Sequence, residues 1–313
     1  MALRLCALSV DLDEIGVYAG LHGLSEPEGR ARHAVYDLAL DRLDEFARSH
    51  RVPLTLFAVG SDLERPENAD RLRRAAEAGH EIGNHSLSHR MNLTQLGREE
   101  MLSEVQVGAD MLLAATGQRP TGFRAPGYTV TDELFEVLGE AGMTYDSSVF
   151  PCPAYYLAKA ATRFGIRLRG RQSRSILDTP AVLAAPTEPY RVGRPYWKRG
   201  SGMLELPIQV TRGPRLPFIG TAITLAGPDR ARWLGRMVIG KTLVNLELHG
   251  MDALDQEDEL AFLQPHQPDV RVPVARKLAA LSAVVETLGE AGYAFLRLDE
   301  AAARLGEAVE LLQ

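Results

Sequence analysis

The sequence predicts an α/β protein built on a parallel sheet or barrel, and three observations carry that prediction. Short apolar runs of strand length alternate with helical patterns through the first half of the chain, which is the signature of right-handed crossover units. Turn residues close the helical patterns, with Gly79, Gly117 followed by Pro120, and Gly142 at their ends. The polar residues best suited to chemistry (Asp11, Asp13, His85, Arg124, Asp146) fall at or just beyond the ends of expected strands, where such folds gather their sites.

The elements follow in order. Residues 3–10 read as a buried strand, and residues 34–50 as a helix with Leu38, Leu40, Leu43 and Phe46 near helical spacing. A second strand is expected at 53–60, a helix at 69–78 and a short third strand at 80–84. A helix at 99–116, a strand at 122–125, a helix at 131–141 and a strand from 144 continue the pattern. Residues 151–202, rich in Arg, Pro and Tyr, lose the rhythm and read as a long loop or small insertion. A strand at 204–208, a helix at 228–238, a strand at 243–249, a helix at 272–288 and a strand at 293–298 complete the chain. No internal repeat or clean boundary occurs, so residues 1–313 read as one domain.

Composition narrows the function. The chain has 313 residues, 45% hydrophobic and 24% charged, enough for a sizeable core without covalent staples. A net charge of −6 argues against nucleic acid as a partner, because phosphate binding wants a basic surface. The basic cluster Arg163, Arg167, Arg169, Arg171 and Arg174 reads as a solvated loop. Two cysteines, Cys6 and Cys152, make neither a disulfide framework nor a Cys-rich zinc site. The N-terminal apolar run is short and meets acidic residues at once, unlike a signal peptide. No stretch approaches the ~20 apolar residues of a membrane span, so a cytoplasmic location is expected. The apolar run Leu216-Pro217-Phe218-Ile219-Gly220, with Trp233 and Met237, reads as core or as a wall facing an apolar substrate or a membrane surface.

The most informative segment is Gly83-Asn84-His85-Ser86-Leu87-Ser88-His89. If it is helical, the spacing of the two histidines is about one turn and both imidazoles share a face. Neutral imidazoles so placed chelate a borderline metal. Alone, the pair fits satisfied structural histidines equally well. Asp11-Leu12-Asp13, at the end of the first strand, can add a carboxylate.

Four features occur in order: Asp-x-Asp at the first strand end, His-x-x-x-His after the third, Arg124-Ala125-Pro126-Gly127-Tyr128 after the next, and Leu246-Glu247-Leu248-His249 on a late strand. This order resembles the NodB-homology polysaccharide deacetylases, carbohydrate esterase family 4. It is most similar to the branch with Asp-x-Asp, which holds some peptidoglycan deacetylases and the allantoinase-like and cyclic-imide hydrolases. The resemblance spans about residues 5–300. It implies a distorted (β/α)7 barrel of the NodB type, with an irregular insertion near 151–202. It implies Asp13, His85 and His89 as ligands of a divalent metal, zinc before cobalt, nickel, manganese or iron. Asp11 would be the general base, Arg124 its ion-pair partner holding it ionised, and His249 the general acid. Asp146 and Ser147 would shape the pocket, and the amide N–H of Gly127 or Tyr128 would help hold the oxyanion.

The chemistry agrees with those roles. Amide hydrolysis needs an activated water, a stabilised oxyanion and a proton for the leaving nitrogen. His80 has the wrong phase to join the pair, Asn84 and Ser86 read as capping residues, and Glu247 and Asp252 could tune His249. The residues after Asp146-Ser147 (Ser148-Val149-Phe150-Pro151) depart from the family's usual sugar-stacking aromatic. Tyr18 and His22 are expected to line the pocket instead, with Tyr190, Tyr196 and Trp197 of the insertion available for a phosphate or a sugar face. The expected activity is removal of an N-acetyl group from a small-molecule, nucleotide-linked or lipid-linked amino sugar, with peripheral membrane contact and a homo-oligomer in view. The competing activity is hydrolysis of a non-sugar amide (a ureide, cyclic imide or formamide). A catalytically silent binding protein is the third reading.

Overall fold

The computed structural model describes residues 3–168 and 176–310. The first half runs β1 (Leu5–Asp11), α1 (Ile15–Leu21), α2 (Leu40–His50), β2 (Leu54–Ala58), α3 (Pro66–Glu77), β3 (Glu81–Asn84), α4 (Arg98–Thr116), β4 (Gly122–Phe123), α5 (Asp132–Glu140) and β5 (Tyr145–Asp146). The second half runs α6 (Pro153–Leu168), β6 (Tyr190–Val192), β7 (Arg199–Glu205), α7 (Gly220–Ala226), α8 (Pro228–Val238), β8 (Leu243–His249), α9 (Val274–Glu290), β9 (Ala294–Phe295) and α10 (Leu298–Glu310).

The strands form one sheet in the order β6-β7-β5-β4-β3-β2-β1-β8, with β9 on the start of β1. Every pairing is parallel except β6 with β7. β1, β2 and β3 are buried at every position, as strands covered on both faces must be. The curled sheet is not closed by strand pairing between β7 and β8. Irregular chain does it: the Gln209 N–H bonds the Asn245 carbonyl at 3.1 Å, and Ile219 bridges to Glu247. This is the distortion of the (β/α) barrel.

Register fixes the site. Asp11 stands level with His249 on β8, and Asn84 on β3 stands level with Phe123 on β4. Asp11, His85, Arg124 and His249 therefore emerge on one rim of the sheet, at the carboxyl ends of β1, β3, β4 and β8.

Four expectations about elements are corrected, the first being the strand expected at 204–208, which runs instead as β7 from Arg199 to Glu205. The 151–202 region is not one irregular insertion: it contains the 16-residue helix α6 and the hairpin strand β6. Pro153 reads as a loop signal, but it occupies the first turn of α6, where a missing N–H costs nothing. Residues 34–50 are helical but open with a π-helical turn, Val35–Ala39. The strand expected at 293–298 stops at Phe295, and Leu298 begins α10. Of the basic cluster, Arg169, Arg171 and Arg174 lie outside the described residues.

One glycine sets how closely a helix approaches the histidine segment. A Cβ at Gly108 of α4 would meet the Leu87 nitrogen and the Ser86 carbonyl carbon at 2.9 Å and the Asn84 Oδ1 at 3.0 Å. Helix propensity favours alanine over glycine by about 1 kcal/mol, but overlap with backbone atoms costs about 1–3 kcal/mol. Gly108→Ala is thus expected to lower Tm in thermal denaturation, and an unchanged or raised Tm would contradict the contact.

Candidate metal centre and active site

The His85–His89 segment is not helical, which corrects the expected one-face chelate. Ser86 and His89 have φ of 67° and 49°, a left-handed conformation that non-glycine residues adopt at a cost. Side chains and backbone hold it there. Asn84 accepts from the Ser86 N–H at 3.0 Å and donates to the Val105 carbonyl at 2.9 Å. Ser86 Oγ accepts from the His89 N–H at 3.0 Å. Glu104 of α4 accepts from the Ser88 N–H at 3.0 Å and the Ser88 hydroxyl at 2.6 Å. On the other side the His85 N–H bonds the Ala58 carbonyl and the Gly60 N–H bonds the Ser86 carbonyl, both at 3.0 Å. The turn, rather than a helical pitch, brings the two rings together, with centroids 4.8 Å apart.

Their Nε2 atoms converge on Asp13, each 3.1 Å from Oδ1. His85 Nδ1 lies 2.7 Å from the Arg124 carbonyl. That contact requires Nδ1 to carry the proton and leaves the Nε2 lone pair free to ligate. Asp13 Oδ1 and His89 Nε2 are buried without a hydrogen-bond partner. Such orphaned acceptors are costly, and one carboxylate with two imidazoles is the donor set of a borderline divalent cation. The residues fit a metal. Burial pushes the Asp13 carboxyl up, but His89 and His85 outweigh it and hold it well below the usual carboxylate range.

Asp11 lies beside this set, 3.9 Å from His85 Nε2. Its Oδ1 accepts from Arg124 Nη1 at 2.8 Å. Arg124 is fully buried, and three further donors reach the Ser147 carbonyl (2.8 Å), Ser9 Oγ (2.9 Å) and Ser147 Oγ (2.8 Å). Its guanidinium also sits 4.3 Å over the Phe57 ring. With four of its five N–H donors bonded, Arg124 is held in place, so it fixes Asp11 as well as neutralising it. The Arg124 charge pulls the Asp11 pKa down, but not far enough to set the net direction. Burial raises it above the ordinary value, and the opposing pull of Arg124 is smaller.

His249 faces Asp11 and Asp13 across the cavity, with Nε2 3.9 Å from Asp13 Oδ2. Its Nδ1 lies 2.8 Å from Glu247 Oε1. Burial pulls the imidazole pKa down, but the Glu247 carboxylate overrides it and sets the pKa well above the usual value. Tyr128 donates to the same Glu247 oxygen at 2.9 Å and lies 3.2 Å from His249 Nε2. Asp252 touches the backbone of His249 rather than its ring, accepting from the N–H at 2.9 Å. Asp11, Glu247 and His249 also cluster closely enough to hold an ion. Their contacts to Arg124 and to one another commit them elsewhere.

The cavity over these groups measures 470 Å³. Tyr18 and Tyr128 line it. His22 does not; it stacks on His266 with centroids 5.1 Å apart. Asp146 and Ser147 do not line it either. Asp146 faces back into the sheet, accepting from the Ser148 N–H and hydroxyl at 3.0 and 2.8 Å and sharing a hydrogen bond with the buried Glu205. Ser147 supports Arg124 from behind. The Tyr128 N–H is spent on the Ala125 carbonyl at 2.9 Å, so it does not serve as an oxyanion donor. Tyr190 and Tyr196 are buried in the core around α5 and the β6–β7 hairpin, with Trp197 packed against it.

Two groups that motif reading did not select complete the site. Glu104 holds the histidine turn, and Lys159 of α6 lines the cavity and donates to the Gly127 carbonyl at 2.8 Å. Burial lowers the Lys159 pKa to about 8. No local motif announces either residue. Both come from helices that pack onto the strand ends.

Residues 35–145 match the family model described as polysaccharide deacetylase. A peptidoglycan deacetylase of Helicobacter pylori is 26% identical over 150 residues, 46% of this chain and 49% of that protein. A peptidoglycan-N-acetylmuramic acid deacetylase of Bacillus subtilis is 38% identical over 81 residues, 26% of this chain and 16% of that protein. The chain thus matches about half the length of the first relative and less of the second. A crystal structure from Mycobacterium smegmatis, named as a polysaccharide deacetylase, covers 97% of this chain and 91% of its own, with a TM-score of 0.62 at 20% identity. The likeness carries the fold: a NodB-type (β/α) barrel.

Proposed function

We propose, on the premise that residues 35–145 belong to the polysaccharide deacetylase family, that this chain is a metal-dependent hydrolase that removes an N-acetyl group from an amino sugar. Residues 1–313 act as a single catalytic domain in this reading. The observation that carries it is the convergence of three groups on one cavity: Asp13 with His85 and His89, Asp11 fixed by Arg124, and His249 backed by Glu247.

Asp13, His85 and His89 would hold the cation, with zinc the favoured ion and cobalt, nickel, manganese or iron chemically equivalent candidates. A divalent metal there supplies a Lewis acid for the amide carbonyl and lowers the pKa of a water from 15.7 toward 7. Asp11 accepts the proton as the water oxygen bonds to the acyl carbon. Arg124 keeps it aimed at the cavity. His249, protonated through Glu247, delivers a proton to the sugar nitrogen as the C–N bond breaks. The products are acetate and a free amine. Lys159 offers a positive charge to an acidic group elsewhere on the substrate.

The second reading, a non-sugar amide, is favoured by the apolar lining contributed by Leu21, Met91, Pro217, Ile219 and Leu225. One screen separates them. The zinc-loaded protein is expected to release acetate from N-acetylglucosamine compounds, to lose that activity with a chelator and to regain it with Zn2+. Hydrolysis of ureides or cyclic imides, with no acetate from any amino sugar, would select the second reading.

A further inference from the structure

Helix α6 covers one side of the cavity, and its solvent face is unusual. Over residues 153–164 the exposed positions are Ala154, Leu157, Ala158, Ala161 and Phe164, all apolar, and Thr162. Leu157 and Phe164 are 67% and 64% exposed, and their seven-residue spacing puts them on one stripe. Ala154 and Ala158 of this face also line the cavity, so the stripe runs directly into the site. Across the mouth Leu225 of α7, 46% exposed, lines the same cavity. An apolar apron therefore surrounds the entrance instead of the polar groove that a soluble glycan would wet.

Charge names the occupant. In a chain of net charge −6, no acidic residue occurs from 153 to 177, a stretch that holds five arginines in sequence, Arg163, Arg167, Arg169, Arg171 and Arg174. An apolar helix face within a basic, acid-free stretch of chain is the pattern of a helix lying in an anionic lipid interface. At 16 residues α6 is too short to span a bilayer, and no helix among the described residues is long and apolar enough to cross one. A protein docked on this stripe would seal the mouth, whereas a fluid lipid surface can deliver substrate through it.

We infer that the entrance of the site docks on an anionic membrane surface through α6 and the end of α7, and that the substrate is an amphiphile presented from that surface. The substrate half of this inference rests on the amide-hydrolase reading; the docking half does not. The test is co-sedimentation of the full-length, zinc-loaded chain with vesicles of phosphatidylglycerol and phosphatidylcholine, or of phosphatidylcholine alone. The wild type should pellet with the anionic vesicles, less with the neutral ones, and less as salt rises. The double variant Leu157→Glu/Phe164→Glu should bind about tenfold more weakly or worse, with unchanged circular dichroism and zinc content. Wild type remaining in the supernatant with anionic vesicles overturns the inference. So does a variant that pellets like wild type, or a dimer in sedimentation velocity that the variant breaks while vesicles bind neither form. The readout involves no turnover, so failure of the deacetylase reading would leave the docking half intact.

Discussion

Asp13→Ala is expected to remove metal and activity together, whereas Asp11→Asn keeps the metal and loses the activity. The two carboxylates sit two residues apart at one strand end, but their surroundings separate them. Asp13 Oδ1 lies 3.1 Å from both Nε2 atoms and has no hydrogen-bond donor, so its charge is available to a cation. Asp11 Oδ1 is already taken by Arg124 at 2.8 Å, so the proposed scheme gives the role of base to its other oxygen. Removing one of three protein ligands should cost more than the roughly 10–100-fold in metal affinity typical of an outer-shell partner. Asp13→Ala protein purified with zinc should therefore carry almost none by metal analysis and show background turnover. Asp11→Asn should carry a full complement of metal and lose about 10²–10⁴-fold in kcat, the range for a positioned acid or base. Full metal content in Asp13→Ala, or wild-type kcat in Asp11→Asn, would reverse the assignment of the pair.

Much of this site can be read from the sequence, because strand ends are legible. Apolar runs locate β1, β3, β4 and β8, and the residue after each run is delivered to the same rim of the sheet. Asp11, His85, Arg124 and His249 meet for that reason. What the strand pattern does not reveal is the face on which a terminal side chain emerges. Asp146 also ends a strand, but its side chain turns toward Glu205 rather than the cavity, and a one-residue change of phase is enough to exchange the two outcomes. Local conformation hides in the same way. The four-residue spacing of His85 and His89 looks helical, and only the bonds from Asn84, Ser86 and the distant Glu104 make it a turn. Residues supplied by packing, such as Lys159 from α6, leave no trace in any motif near the strands they serve.

Glu247→Gln should move the whole pH–rate profile toward acid. Catalysis in the proposed scheme needs Asp11 ionised and His249 protonated, so kcat/KM rises as Asp11 loses its proton and falls as His249 loses its own. Burial raises the Asp11 pKa, and the Glu247 charge adds to that rise. For His249, burial acts downward and the Glu247 carboxylate, 2.8 Å from Nδ1, is the largest influence acting upward. Neutralising Glu247 therefore lowers both values, and the rising and falling limbs shift the same way. The limbs belong to the coupled set rather than to single residues, but the direction is common to all its members. The variant should lose more activity at pH 8 than at pH 6, because the acid is the group it discharges first. His249→Gln, lacking the acid entirely, should lose about 10²–10⁴-fold in kcat and its alkaline limb with it. Metal content should be unchanged in both, since neither residue belongs to the Asp13 set. An alkaline limb that stays in place in Glu247→Gln would mean that the proton for the leaving nitrogen comes from elsewhere, with Tyr128, 3.2 Å from His249 Nε2, the next group to test.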